Sequence, residues 1–191
     1  MTSNRLEAFS DGVLAIIITI MVLELKVPQG FELAALKPLI PKFISYLLSF
    51  IYIGIYWNNH HHLFHAIKKI DGKVLWANLF LLFVLSLIPF TTAWMGENDF
   101  QKNTVMVYGF NLLLCAFGFN LLEKASIKNE GEDSVLGKAL GNRKKEYTSI
   151  FLYVFGIGVA YFSPVVSLAC FVVVALIWII PDKRIERKLK E

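Results

Sequence analysis

An aspartate stands inside an apolar run near the start of the chain, in the segment RLEAFSDGVLAIIITIMVLEL. An ionisable side chain in a lipid-embedded helix is costly, so Asp11 marks either an anchor to a neighbouring helix or a step in an ion or proton path. All four histidines fall together, as His60, His61, His62 and His65. His61 and His65 are one helical turn apart and would share a face, as paired metal ligands do. No H-E-x-x-H pattern accompanies them and no carboxylate lies in register, so neither a metal nor a cofactor is expected. The cluster sits at the same depth of its apolar run as Asp11, which predicts a histidine or arginine partner for Asp11. Imidazole changes charge near neutral pH and would also lend the cluster pH sensitivity. Trp57, Trp76, Asn58 and Asn78 occupy polar-spiced turns and are expected to donate hydrogen bonds within the protein.

The elements that must carry these residues follow from composition. Of 191 residues, 56% are hydrophobic and 18% charged, and mean hydropathy is +0.57. A soluble domain carries about 25% charged residues. This chain lacks the polar coat that a soluble enzyme needs and is too apolar to be disordered. Cys115 and Cys170 both lie in apolar runs, which excludes a disulfide framework and a four-cysteine zinc site. A bilayer core needs roughly 20 helical residues to cross. Six candidate spans fit, at 9–25, 43–64, 74–95, 104–122, 147–162 and 165–180, with Pro164 marking a tight hairpin between the last two. The expectation is an all-α integral membrane protein, one six-helix domain over residues 1–191. The prolines at 28, 38 and 41 predict a short amphipathic or re-entrant stretch before the second span, and 123–146 reads as a solvated connector.

The basic residues orient the spans. With both termini on one side, fifteen of the nineteen Lys and Arg residues share that side, from Arg5 through Lys68, Lys69, Lys73, Lys138 and Lys145 to the tail at Lys183–Lys190. The positive-inside rule makes that side cytoplasmic. The net charge of +4 is therefore a matter of topology and lipid head groups, and no nucleic-acid partner is expected.

On a helical wheel, Phe9, Gly12, Ile16, Ile20 and Leu23 form one stripe of the first span, bordered by Thr19. Asp11, Ala15, Ile18 and Val22 fall on another side. One face is expected to hold the helix to its neighbours while the Ile16 stripe meets something else.

Arg5, then Phe9-Ser10-Asp11-Gly12-Val13, Ala15-Ile16, Thr19 and Leu23, ending at Pro28, resembles the first-helix signature of the lysosomal and bacterial potassium channel family, the transmembrane protein 175 family. Six spans on this length resemble its bacterial branch. The resemblance implies a homotetramer in the cell inner (plasma) membrane, each first helix lining a central pore that passes potassium ahead of other monovalent cations. It implies a pore constriction at Ile16, with Ile20 and Leu23 beyond it and Thr19 following the isoleucine. It also implies an anchor network of Arg5, Phe9, Ser10 and Asp11, which Trp57, His61, Trp76 and Asn78 would join. There is no TVGYG-like filter and no acidic ring on the stripe, so selectivity would rest on the apolar ring.

Two other functions compete with a passive potassium-permeable channel. A proton-coupled secondary transporter would use Asp11 or the histidines as a relay, but the chain shows no internal repeat and no sign of an interrupted mid-membrane helix. A membrane enzyme would need a histidine-held metal. A channel, and no enzyme, is the expectation.

Overall fold

The computed structural model describes residues 3–67, 70–131, 134, 136–137 and 143–179. Lys68, Lys69, Lys138 and the tail at Lys183–Lys190 lie outside the described residues. Within them the chain is helical throughout: α1 (Ser3–Leu23), a 3-10 helix (Leu33–Leu39), α2 (Ile40–Ala66), α3 (Gly72–Ser86), α4 (Ile88–Glu97), α5 (Lys102–Glu130), α6 (Lys144–Val159) and α7 (Pro164–Ile179). Because α4 continues α3, the seven helices form six rods. Four segments are long and apolar enough to cross a membrane: Ser3–Leu23, Leu33–Ala66, Gly72–Glu97 and Lys102–Glu130. The outside of the bundle exposes Phe83, Phe90, Phe110, Phe117, Phe151 and Leu176, more apolar surface than water-facing proteins tolerate.

Two apolar cores hold the rods together. Leu14, Ile17, Ile53, Leu81, Leu85 and Leu122 join α1, α2, α3 and α5. Tyr52, Tyr108, Leu112, Tyr153 and Phe171 join α2, α5, α6 and α7. α1 packs on α2, α3 and α4, while the α6–α7 hairpin packs on α5 and α2. Gly109 lets Phe171 of α7 seat against α5 and Gly156 lets it seat against α6, since an added Cβ at either would strike the Phe171 ring.

Four sequence expectations need adjustment. α1 starts at Ser3, ahead of Phe9, so Glu7 lies inside the helix one turn before Asp11. The stretch before the second span is an exposed 3-10 helix carrying Pro38 that runs directly into α2, with Pro41 in the first turn. α5 continues past Leu122 to Glu130 and stops at Gly131, whose φ of +98° suits glycine. The first third of the expected connector is therefore helix, held by buried Leu122 and Ser126.

The fourth adjustment concerns the third span, which is interrupted. α3 ends at Ser86 and α4 begins at Ile88, with Pro89 in its first turn. Proline has no N–H, and its ring crowds the preceding turn, so the ladder breaks. Asn111 of α5 repairs the break. With its nitrogen turned toward Val84, its amide donates to the Val84 carbonyl at 3.0 Å and accepts from the Ile88 N–H and the Thr91 hydroxyl, each at 3.2 Å. Asn111→Leu keeps the volume but strands the Ile88 N–H in an apolar interior, while the Val84 carbonyl keeps the Leu87 N–H and the Thr91 hydroxyl keeps the Leu87 and Ile88 carbonyls. It is expected to cost about 1–3 kcal/mol, read as a lower melting temperature of detergent-purified protein.

Candidate functional site

The two sides of α1 are sharply different. Leu6, Ser10, Leu14, Ile17 and Met21 are all at most 3% exposed, and their i, i+3, i+4 spacing draws one packed stripe toward α2, α3 and α4. Facing away, Phe9, Ile16, Ile20 and Leu23 are 52%, 58%, 44% and 77% exposed. Gly12 and Thr19 share the open side, and the Thr19 hydroxyl donates back to the Ile16 carbonyl at 2.8 Å. The packed stripe lies beside the one that the wheel assigned to packing. Asp11 and Ile18 sit at its edge, half-buried, while Ala15 and Val22 are exposed.

Two consecutive side-chain bonds link the start of α1 to α3 and α3 to α2, and a third lies within α1. Buried Asn78 of α3 donates from Nδ2 to Ser10 Oγ at 3.0 Å. His60 Nε2 meets Asn78 Oδ1 at 2.8 Å. Because an amide oxygen only accepts, the His60 ring carries its proton on Nε2. Ser10 in turn donates to the Leu6 carbonyl at 2.9 Å. On the adjoining side, Trp57 Nε1 donates to Asp11 Oδ1 at 3.0 Å, and Glu7 Oε1 pairs with His61 Nδ1 at 2.7 Å.

The partner of Asp11 is thus an indole, where a histidine or arginine was expected. Trp57 and His61 are one turn apart on α2 and both meet α1, whereas His60, turned about 100° from His61, meets α3. Of the residues named for the network, the structure brings together Ser10, Asp11, Trp57, His61 and Asn78. Trp76 is 76% exposed and stands apart. Arg5 and Phe9 are exposed on the open side of α1, and Asn58 is half-buried. His60 and Glu7 were missed as members. Glu7 precedes Asp11 by four residues, so the i, i+4 rule was the available signal for it.

The Asp11–Trp57 bond is semi-exposed in the single chain, so its loss should cost less than the about 3–5 kcal/mol of a broken buried ion pair. Asp11→Ala is expected to lower stability by about 1.5–3 kcal/mol, the range for a hydrogen bond to a charged group. Trp57→Phe should cost a similar amount. The double variant should lose little more than either one, which a double-mutant cycle of melting temperatures reads directly.

Comparison with known proteins places this arrangement. Residues 5–89 match the family described as endosomal/lysosomal potassium channel TMEM175. A potassium channel of Chryseobacterium sp. (strain P1-3) is 56% identical over 191 residues, covering all of both chains. The chain belongs to the TMEM175 family. The crystal structure of a lysosomal potassium-selective channel TMEM175 homolog from Chamaesiphon minutus superposes with a TM-score of 0.81 at 30% identity, covering 94% of this chain and 97% of that one. The endosomal/lysosomal proton channel TMEM175 of Mus musculus is 32% identical over 99 residues, which is 49% of this chain and 20% of the mouse protein. The TMEM175 match runs from Arg5 to Pro89. It contains every bond between α1 and its neighbours described above. TMEM175 proteins are ion channels and not enzymes, and this chain is a multi-pass membrane member of that family.

Proposed function

We propose that this protein is a potassium-permeable channel, a homotetramer in the cell inner membrane with both termini cytoplasmic and all six rods crossing the bilayer. Four copies of α1 surround the pore. The carrying observation is the open stripe of α1: Phe9, Ile16, Ile20 and Leu23 stay exposed in the subunit while the opposite face is packed. One helix cannot enclose a pore, but a ring of four around a closed symmetry axis can. Ile16 then forms the narrowest ring, Thr19 follows it, and Ile20 and Leu23 form further apolar constrictions that can shut by dewetting. Arg5 and Phe9, on the open side, are placed to meet the next subunit. Relatives named as potassium channels support potassium as the ion. The remaining partner is membrane lipid, with no nucleic acid.

A proton-coupled transporter keeps one point in its favour, since the third rod is interrupted at Pro89 as transporter helices often are. The break is sealed by Asn111 and lies away from the open stripe, which favours the channel. The deciding experiment combines the mass of the detergent-purified particle with potassium and sodium flux in liposomes. A tetramer whose potassium flux follows the gradient with no coupled ion supports the channel. A monomer that conducts, or flux that stops when the proton gradient is clamped, overturns it.

A further inference from the structure

Around the Glu7–His61 bond, three side chains converge where the start of α1 and the end of α2 meet. Glu7, His61 and His65 each offer one ligand atom, and these atoms lie within 4.8 Å of one another. Glu7 Oε1 and His61 Nδ1 are already 2.7 Å apart. The His65 ring stands edge-on to His61, with centroids 4.4 Å apart at 77°. The carboxylate that the histidines lack in their own helix is supplied by α1, 54 residues away.

We propose that Glu7, His61 and His65 form a binding site for a late first-row divalent cation, with zinc as the best fit. Two imidazoles and one carboxylate are a zinc donor set, with water completing the tetrahedron. Metal–ligand bonds of about 2.0–2.2 Å put tetrahedral ligand atoms roughly 3.3 Å apart. The observed spread needs only side-chain rotation to reach that geometry. Access is open, because the His65 side is exposed and the His61 side chain is 42% exposed while Glu7 is 18% exposed. The Glu7–His61 pair alone is accounted for as a hydrogen bond. It does not account for His65, which leaves its own helix face free for a ligand beside both groups. Magnesium is excluded as the ligand by its demand for oxygen donors in an octahedron. His62 has its ring centroid 5.7 Å from that of His61 but does not belong to the converging group, so it serves as the control.

The consequence is mechanical. A metal held by residues of two helices cross-links α1 to α2 one turn before the Asp11–Trp57 bond. The site itself does not depend on α1 lining a pore.

The test uses tag-free, full-length protein in detergent, stripped with chelator and titrated with zinc chloride by calorimetry, with zinc per chain measured after desalting. Wild type should take up one zinc per chain. His65→Ala and Glu7→Gln, which act from different helices, should each weaken binding by at least about tenfold. His62→Ala should bind as wild type does, and magnesium chloride should give no binding. Only variant protein that elutes as wild type does is compared, and Glu7→Gln keeps a hydrogen-bonding side chain if His65→Ala does not assemble. The proposal is overturned if wild type takes up less than stoichiometric zinc. It is equally overturned if both variants bind as tightly as wild type, or if His62→Ala weakens binding as much as they do.

Discussion

Ile16→Asn and Ile16→Ala are expected to raise sodium conduction relative to potassium several-fold without lowering total conduction. Ile16 is 58% exposed on the open stripe of α1 and makes no contribution to either buried core. Its replacement therefore leaves the subunit's packing intact, and alanine is the strongest helix former. In the proposed tetramer the change widens or wets the narrowest ring. Sodium, the more strongly hydrated ion, then passes while keeping its water, so the size filter of the apolar ring weakens. Ile18 provides the contrast. It lies about 160° around the helix, is half-buried, and packs against the α1–α2–α3–α5 core. Ile18→Ala should lower stability through lost packing and leave the ion preference alone. Reversal potentials under bi-ionic potassium and sodium gradients read both. An unchanged ratio in the Ile16 variants, with a changed one in Ile18→Ala, would place the pore on the other side of α1.

Asn78→Leu is the structural change with the largest expected cost. The Asn78 amide is fully buried and spans two partners, accepting from His60 Nε2 and donating to Ser10 Oγ. Leucine matches its size but cannot bond, so the His60 N–H is stranded in an apolar setting and the Ser10 bond is lost. The stranded His60 N–H costs about 1–3 kcal/mol and the lost bond to Ser10, whose hydroxyl keeps the Leu6 carbonyl, about 1 kcal/mol, which gives about 2–4 kcal/mol together. For a chain of this length that is roughly a 5–15 °C fall in melting temperature. Trp76→Ala, two residues earlier on α3 but 76% exposed, should shift it far less in detergent. Equal losses in the two variants would show that the buried relay is not what holds α1 to α3.

Much of this was legible because lipid imposes simple rules. Long apolar runs and the open stripe of α1 are one-dimensional patterns, and each helix near its expected position followed from them, whereas the packed stripe falls beside the one the wheel assigned. The resemblance around Phe9-Ser10-Asp11-Gly12 identified the family. Contacts between distant segments were harder. Whether Asp11 meets an imidazole or an indole depends on the rotation of α2 about its own axis, and a shift of one residue exchanges Trp57 for its neighbour. The break at Pro89 was visible as a proline, but its repair depended on Asn111, 22 positions away. Glu7 escapes the hydropathy pattern because the helix begins at Ser3, before the apolar run does, and the carboxylate opposite His61 escapes with it.

Among the described residues, every side-chain bond from α1 to the rest of the subunit lies at Asp11 or before it. Beyond that point, among the described residues, the helix is held by Leu14, Ile17 and Met21 through apolar contact, which has no preferred direction and yields to sliding. α1 is therefore a lever clamped at one end. From Asp11, Ile16 lies about 7.5 Å along the axis and Leu23 about 18 Å. A tilt of about 5° at the clamp carries Leu23 sideways by about 1.6 Å and Ile16 by only about 0.7 Å. In the proposed ring of four such levers, the diameter at Ile16 would be stiff and the diameter at Leu23 compliant. One straight helix would then supply a nearly constant sieve near its fulcrum and a movable aperture at its tip.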